Sequence, residues 1–188
     1  ILKWGVSVHW RLKAYLAFFC ICFSASSVLS HEIIIDGKLD DSAWKSADEY
    51  TKYYESLPFT LNEPKDFQKV LILEDEKGIY LGFINKQDKE TIRANRHERD
   101  DEMANADKAG LAIDFDGDGL AAYAFTVSAG GSISDGIYRN ENEVNYDWDA
   151  DWKSGVFVDK DYWYAEMFIP WSIAPMKAVN GEFREVKL

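Results

Sequence analysis

The sequence predicts an all-β domain, an antiparallel sandwich or barrel, and three observations carry that expectation. Short apolar runs recur at regular spacing, Gly- and Asp-rich turns separate them, and little of the chain has helical periodicity. The alternation is clearest in Tyr162–Ile169, where Trp163, Ala165, Met167 and Ile169 share one face and Tyr162, Tyr164, Glu166 and Phe168 the other.

The elements follow in order. Ile33–Ile35 runs into the turn signal Asp36–Gly37, and Leu39 to Ala47 reads as one short helix or turn, with Asp40 or Asp41 capping and Trp44 inward. Residues 48–66, broken by Pro58 and Pro64, read mainly as loop. Val70–Leu73 and Ile79–Ile84 form a hairpin around Glu74–Gly78. Residues 85–108 are charged and irregular, with at most a helical turn, and long irregular segments often carry function. Leu111, Ile113 and Phe115 then alternate with Ala112, Asp114 and Asp116 before Gly117–Asp118–Gly119, and Ala121–Ser128 returns. Ile133–Tyr138 follows, and Trp152–Val158 pairs with Tyr162–Ile169 around Asp159–Lys160–Asp161.

Residues 1–30 differ from the rest. They hold Lys3, Arg11 and Lys13, no acid, an uncharged stretch Ala14–Phe23 and a small-residue exit Ser26–Ser30. That is the build of a signal peptide, with cleavage expected after Ser30, and the apolar run is shorter than a spanning helix needs. Cys20 and Cys22 lie inside it, so the exported domain, residues 31–188, has no disulfide and depends on a packed core. Of the 21 Lys+Arg, 18 follow residue 30, against all 33 Asp+Glu, leaving a charge of about −15. Such a surface argues against nucleic acid and anionic membranes, which need basic patches. The first residue is Ile1 and the last segment, Phe183–Leu188, reads as a strand, so the chain is expected to be part of a longer protein, truncated at the C-terminus.

Catalytic signatures are sparse: there is no metal-hydrolase histidine pair, Gly-x-Ser-x-Gly elbow, phosphate loop or dinucleotide fingerprint. Glu166, inside a strand, reads as the structural partner of an arginine such as Arg99. Asp114, Asp116 and Asp118 at alternate positions before a glycine suit Ca²⁺, which takes six to eight oxygens, and equally suit a solvated hairpin turn. Asp147–Trp148–Asp149–Ala150–Asp151–Trp152 joins indoles to acids, a pairing suited to sugars. Trp152 is expected in the core and Trp148 exposed.

Three motifs stand in register over about residues 33–175. Ile35–Trp44 resembles the "I-D-G-x-L-D-(D/E)-x-x-W" opening of family 9 carbohydrate-binding modules, Gly78–Phe83 their "x-L-Y-v-g-f" strand, and Ala165–Trp171 their "x-E-x-x-I-P-(W/F)" signature. A finer resemblance is to the module at the N-terminus of exported bacterial DUF5916 proteins. It rests on Arg99–Asp100–Asp101, Asp114–Asp118, Gly131–Gly136 and Trp148–Trp152. The resemblance implies an antiparallel β-sandwich, jelly-roll or DOMON-like, with one or two short helices. It also implies an envelope location (periplasm, outer membrane or outside the cell), and a missing C-terminal region such as a membrane β-barrel. Glycan binding is expected from Trp148 and the acidic loops, with Trp148, Trp152, Arg99, Asp107 and Tyr138 as the contacts, in a parent protein of carbohydrate catabolism that hydrolyses O-glycosyl bonds. The sequence departs from sugar-binding members where a sandwiching Trp and a Glu would fall, at Ala104 and Gly110. Two other readings are a docking module for an outer-membrane partner that binds no sugar, and a haem-binding relative using Met103.

Overall fold

A computed structural model describes residues 7–8, 32–56, 60–101, 104–139, 143–177 and 186–188. The expected leader and Met103 lie outside those residues, except for Ser7–Val8. The strands are β1 (Ser7–Val8), β2 (Asp48–Tyr50), β3 (Gln68–Glu74), β4 (Gly78–Lys86), β5 (Lys108–Ile113) and β6 (Ala122–Ser128). They continue as β7 (Ile133–Arg139), β8 (Glu143–Asn145), β9 (Lys153–Asp159), β10 (Tyr162–Pro170) and β11 (Val186–Lys187). Three single 3-10 turns, Ser42–Ser46, Lys89–Thr91 and Trp171–Ile173, are the only helical elements among the described residues. No described helix is long and apolar enough to cross a membrane.

Two antiparallel sheets make the sandwich, in the orders β2-β3-β4-β10-β9 and β5-β6-β7-β8. The alternation read in the sequence is the alternation of burial. Trp163, Ala165, Met167 and Ile169 are all at most 3% exposed and face Ile113, Phe125 and Val127 of the other sheet's inner side. Stacked sheets lie about 10 Å apart, which is why large side chains from both inner faces can interdigitate there. The third, two-stranded pairing is β1 with β11, and Lys187 also bridges Asp114 at the end of β5.

Two short strands sit in stretches that give a weak sequence signal. β2 occupies the start of the segment expected to be loop, and β8 has only three residues. Asp41 is at the cap position of the Ser42–Ser46 turn but makes no cap hydrogen bond there. Its carboxylate instead accepts the Ile34 N–H at 2.8 Å, which ties the incoming chain to the turn.

Glu166 corrects a sequence expectation. It is 0% exposed, yet its partner is not an arginine. Oε2 accepts the backbone N–H groups of Asp36 at 2.8 Å and Gly37 at 2.7 Å, and Oε1 accepts the Trp44 indole N–H at 2.9 Å. The even-numbered face of β10 points away from the inter-sheet core, and the Asp36–Trp44 segment folds across it and takes the place of solvent. Glycines make that approach possible. Gly37 has φ +90°, and a Cβ there would lie 2.5 Å from the Val156 backbone. A Cβ at Gly82 would meet Leu39 at 2.4 Å, with the Trp44 ring beyond it.

Burial pushes the Glu166 carboxyl above its ordinary 4.5, against the opposing pull of the Gly37, Asp36 and Trp44 hydrogen bonds. The folded chain therefore keeps this proton where the unfolded chain has lost it. The group's contribution to stability falls as pH rises from 4.5 through the raised value. Glu166→Gln is expected to lower the unfolding free energy by about 1–3 kcal/mol, because an amide NH₂ would meet a donor where a carboxylate oxygen now accepts. It should also remove this group's share of the pH slope, read from denaturant titrations on either side of pH 4.5. Equal stability and an unchanged slope would contradict the clamp.

Candidate functional site

The acidic and aromatic residues singled out by sequence fall into three places. The first is a hub around Arg99. Its guanidinium donates to the fully buried Asp135 and to the Ala150 carbonyl at 3.0 Å. Nε stands 2.9 Å from Asp149 and 3.6 Å from Asp100. Asp135 uses its second oxygen to accept the Ala150 N–H at 2.6 Å, while its own N–H donates to Asp100 at 2.9 Å. Asp100 adopts φ +59°, a left-handed conformation that Asp tolerates better than most residues. Burial raises its carboxyl pKa, with the Asp135 charge adding to the rise against the Asp135 N–H and Arg99. Asp100, Asp135 and Asp149 bring one oxygen each within 4.8 Å of one another, and Arg99 is the cation among them. The hub joins the Arg-Asp-Asp loop, β7 and the Trp-Asp-Ala-Asp-Trp segment into one end of the sandwich.

That segment corrects the expectation for Trp148. Asp147, Asp149 and Asp151 are exposed while Trp148, Ala150 and Trp152 turn inward, a period of two that sends acids out and rings in. Trp148 packs edge-on against Tyr123 at 4.9 Å and Phe125 at 6.0 Å between ring centres, so it is partly buried and joins the core. Trp152 is in the core as expected, 6% exposed and 5.6 Å from Phe125. Tyr138 pairs with Ala122 and so lies on the opposite face of its sheet from Phe125 and Asp135. Asp107 holds a different loop. It accepts the Arg93 backbone N–H at 2.8 Å, the Arg93 guanidinium and the Gln87 amide at 2.8 Å. Burial alone would raise its pKa, but these donors hold it below the ordinary value. Of the five expected glycan contacts, the structure gathers Arg99, Trp148 and Trp152 near one segment and leaves Asp107 and Tyr138 elsewhere.

The second place is the Asp114 turn. The Asp114 carboxylate accepts the N–H groups of Asp116, Gly117 and Gly119 at 2.7–3.2 Å. Asp118 accepts the Leu120 N–H at 2.9 Å and pairs with Lys177, whose Nζ is 3.9 Å from Asp116. The Lys177 hydrogen bond lowers the Asp118 pKa, and Lys177 is raised in return. The turn is thus closed by its own amides, with an ammonium facing Asp116 and Asp118. Gly110, where a sugar-contacting Glu would fall, is close-packed: a Cβ there would lie 2.5 Å from the Phe125 carbonyl oxygen.

The third place was not marked by the sequence. A groove of about 320 Å³ lies between residues 51–54 and 63–68. Tyr53, Tyr54 and Phe67 supply rings, Glu63 and Asp66 carboxylates, and Lys52 and Lys65 ammonium groups. Tyr54 is 53% and Phe67 46% exposed, an unusual display of two large rings in one concavity. Backbone bonds from Glu55 N–H to Asn62 and from Leu61 N–H to Glu55 tie together the segments that flank it, and Lys86 N–H donates to the Phe67 carbonyl. Pro64 and the clustered Tyr residues were the available signal, but a loop-like stretch gives no periodicity by which to orient a ring.

No protein-family model matches the chain, and no curated protein matches its sequence. Solved structures do resemble it. A family 9 carbohydrate-binding module from Caldicellulosiruptor kristjanssonii, in complex with cellotriose, aligns with a TM-score of 0.53 at 12% identity, covering 83% of this chain and 78% of that one. A protein from Bacteroides uniformis classed as carbohydrate-binding aligns with a TM-score of 0.51 at 13% identity, covering 68% of this chain and 62% of that one. The likeness is one of fold, and the β-sandwich implied by the three motifs is the fold of this chain.

Arg99→Ala is expected to lower stability by about 1.5–3 kcal/mol, since it strips a charged partner from the buried Asp135. Thermal unfolding measures it, and a variant as stable as the parent would show that the hub holds nothing.

Proposed function

We propose that this chain is a non-catalytic carbohydrate-binding module of an exported protein, carried by a larger envelope protein of carbohydrate catabolism that cleaves O-glycosyl bonds. The observation that carries the reading is the groove walled by Tyr53, Tyr54 and Phe67 beside Glu63 and Asp66. Pyranose rings are apolar on their C–H faces and polar at their edges. A ring face packs against an exposed aromatic, while carboxylates accept hydroxyl hydrogens and ammonium groups donate to ring and hydroxyl oxygens. Ligand sites elsewhere follow the same plan, apolar walls with a few convergent polar groups. Two features support the reading: the fold it has in common with a module seen in complex with cellotriose, and the leader-like composition of residues 1–30. The strongly acidic surface suits a neutral glycan better than a polyanion.

On this reading the sugar contacts lie in the groove and not at the Trp148–Trp152 segment. Trp148 and Trp152, which pack on Phe125, support the scaffold, and the exposed rings near β2 and β3 take the role expected of them.

Retention on a glycan array and on soluble cello-oligosaccharides tests this. Tyr54→Ala and Phe67→Ala are each expected to weaken binding roughly two- to tenfold with the fold intact, from the loss of one ring contact. Trp148→Ala is expected to lower thermal stability instead, with binding retained below the unfolding transition. A protein that no glycan retains, or whose retention ignores both ring deletions, would rule the reading out.

A further inference from the structure

We propose that the saccharide held in the polar groove carries an apolar substituent, aryl or alkyl-acyl, which enters the gap between the two sheets. This rests on the carbohydrate reading above and names the class of sugar it would select.

The gap is a cavity of about 350 Å³ along the β2–β3 and β5 edge of the sandwich. Val70, Ile72, Leu81 and Phe83 line it from one sheet and Ala109 and Leu111 from the other. Ala109 presents only a methyl group there, and Tyr50, Lys108, Gly110 and Leu188 complete the lining. Tyr53 and Gln68 line both this cavity and the polar groove, so the two are adjoining chambers with a common wall.

A polar group stands at that wall. Asn85 is the register partner of Gln68, is only 9% exposed, and lines the apolar cavity. Its Nδ2 has no hydrogen-bond partner among the described residues. An unpaired buried amide is destabilising, so an acceptor brought there by a ligand would be favoured. The oxygen linking a sugar to its substituent is such an acceptor, and it would sit where the chambers meet. A bare sugar suits the inner chamber poorly, because the chamber's polar groups stand at the shared wall while the hydroxyls deeper in would lose water against Val70, Leu81 and Phe83. An apolar tail does suit it, since its transfer from water is favourable.

Methyl, propyl and hexyl β-glucosides, titrated into the whole chain by calorimetry, test the idea. Hexyl glucoside is expected to bind at least about tenfold tighter than the methyl compound, from burial of the added methylenes. Ala109→Leu, which fills the chamber, should abolish that gain and leave methyl glucoside and cello-oligosaccharide binding unchanged. If Ala109→Leu does not fold, judged by circular dichroism, Leu111→Phe on the same edge strand takes its place. Equal affinity across the series overturns the inference, and so does a gain that survives in the folded, filled variant. Cello-oligosaccharide binding that depends on Tyr54, with a flat alkyl series, overturns the inference alone. No binding of any of these sugars overturns the carbohydrate reading with it.

Discussion

A carboxylate with no cationic partner among the described residues holds the outer face of the five-stranded sheet. Glu166 points away from the core, and a charged group in that position would ordinarily be left to water. Here the Asp36–Trp44 segment lies over it, and three N–H groups donate to its two oxygens. The arrangement works only with close backbone approach, which is why Gly37, Gly82 and Gly155 lie beneath and beside the turn. One side chain on β10 thus fixes the entry of the chain, the seat of Trp44 and the covering of β3 and β4. It is also the physical link between the two motifs at opposite ends of the domain, which meet at this hydrogen-bonded contact.

The same solution recurs with other acids. Asp114 closes its hairpin through three amides, Asp107 gathers the Arg93 and Gln87 donors, and Asp135 takes Arg99 and the Ala150 N–H. In a chain with 33 acidic residues, a subset is turned inward to organise irregular backbone that the sheets cannot organise. Loops run over the surface, where their backbone groups lack ladder partners, and a carboxylate with several acceptor sites can satisfy neighbouring amides at once. The outward acids, such as Asp147, Asp149 and Asp151, set the surface charge.

These anchors bear on function by what they leave uncovered. One end of the sandwich is closed by the Arg99 hub and by Trp148 and Trp152 packed on Phe125. Among the described residues, the β2–β3 and β5 edge carries the groove and the cavity between the sheets, the latter lined also by Leu188. There the inner faces meet a small residue, Ala109, and the chain beyond β2 brings Tyr53, Tyr54 and Phe67 to the rim. Rigid sheets with an unfilled margin are a suitable scaffold for a site, because the strands fix the walls while the loops vary their chemistry.

The sequence by itself determined the layers. Alternation in Tyr162–Ile169 and in Leu111–Phe115 announced which side chains would face the core, because the side-chain period of a strand is a local property. The motifs in register also announced the sandwich, and the Gly and Asp turns its hairpins. The partner of Glu166, the inward turn of Trp148 and the groove at the rim appear only in the tertiary structure. Glu166 meets residues about 130 positions away, and nothing local distinguishes an amide partner from Arg99. The alternation in Asp147–Trp152 was present, but the charges flanking Trp148 masked it until Phe125 and Tyr123 supplied an inner surface. The groove and the cavity needed most: Tyr53, Gln68, Asn85 and Ala109 come from separate segments, and only the packing of one sheet on the other brings them to adjoining spaces.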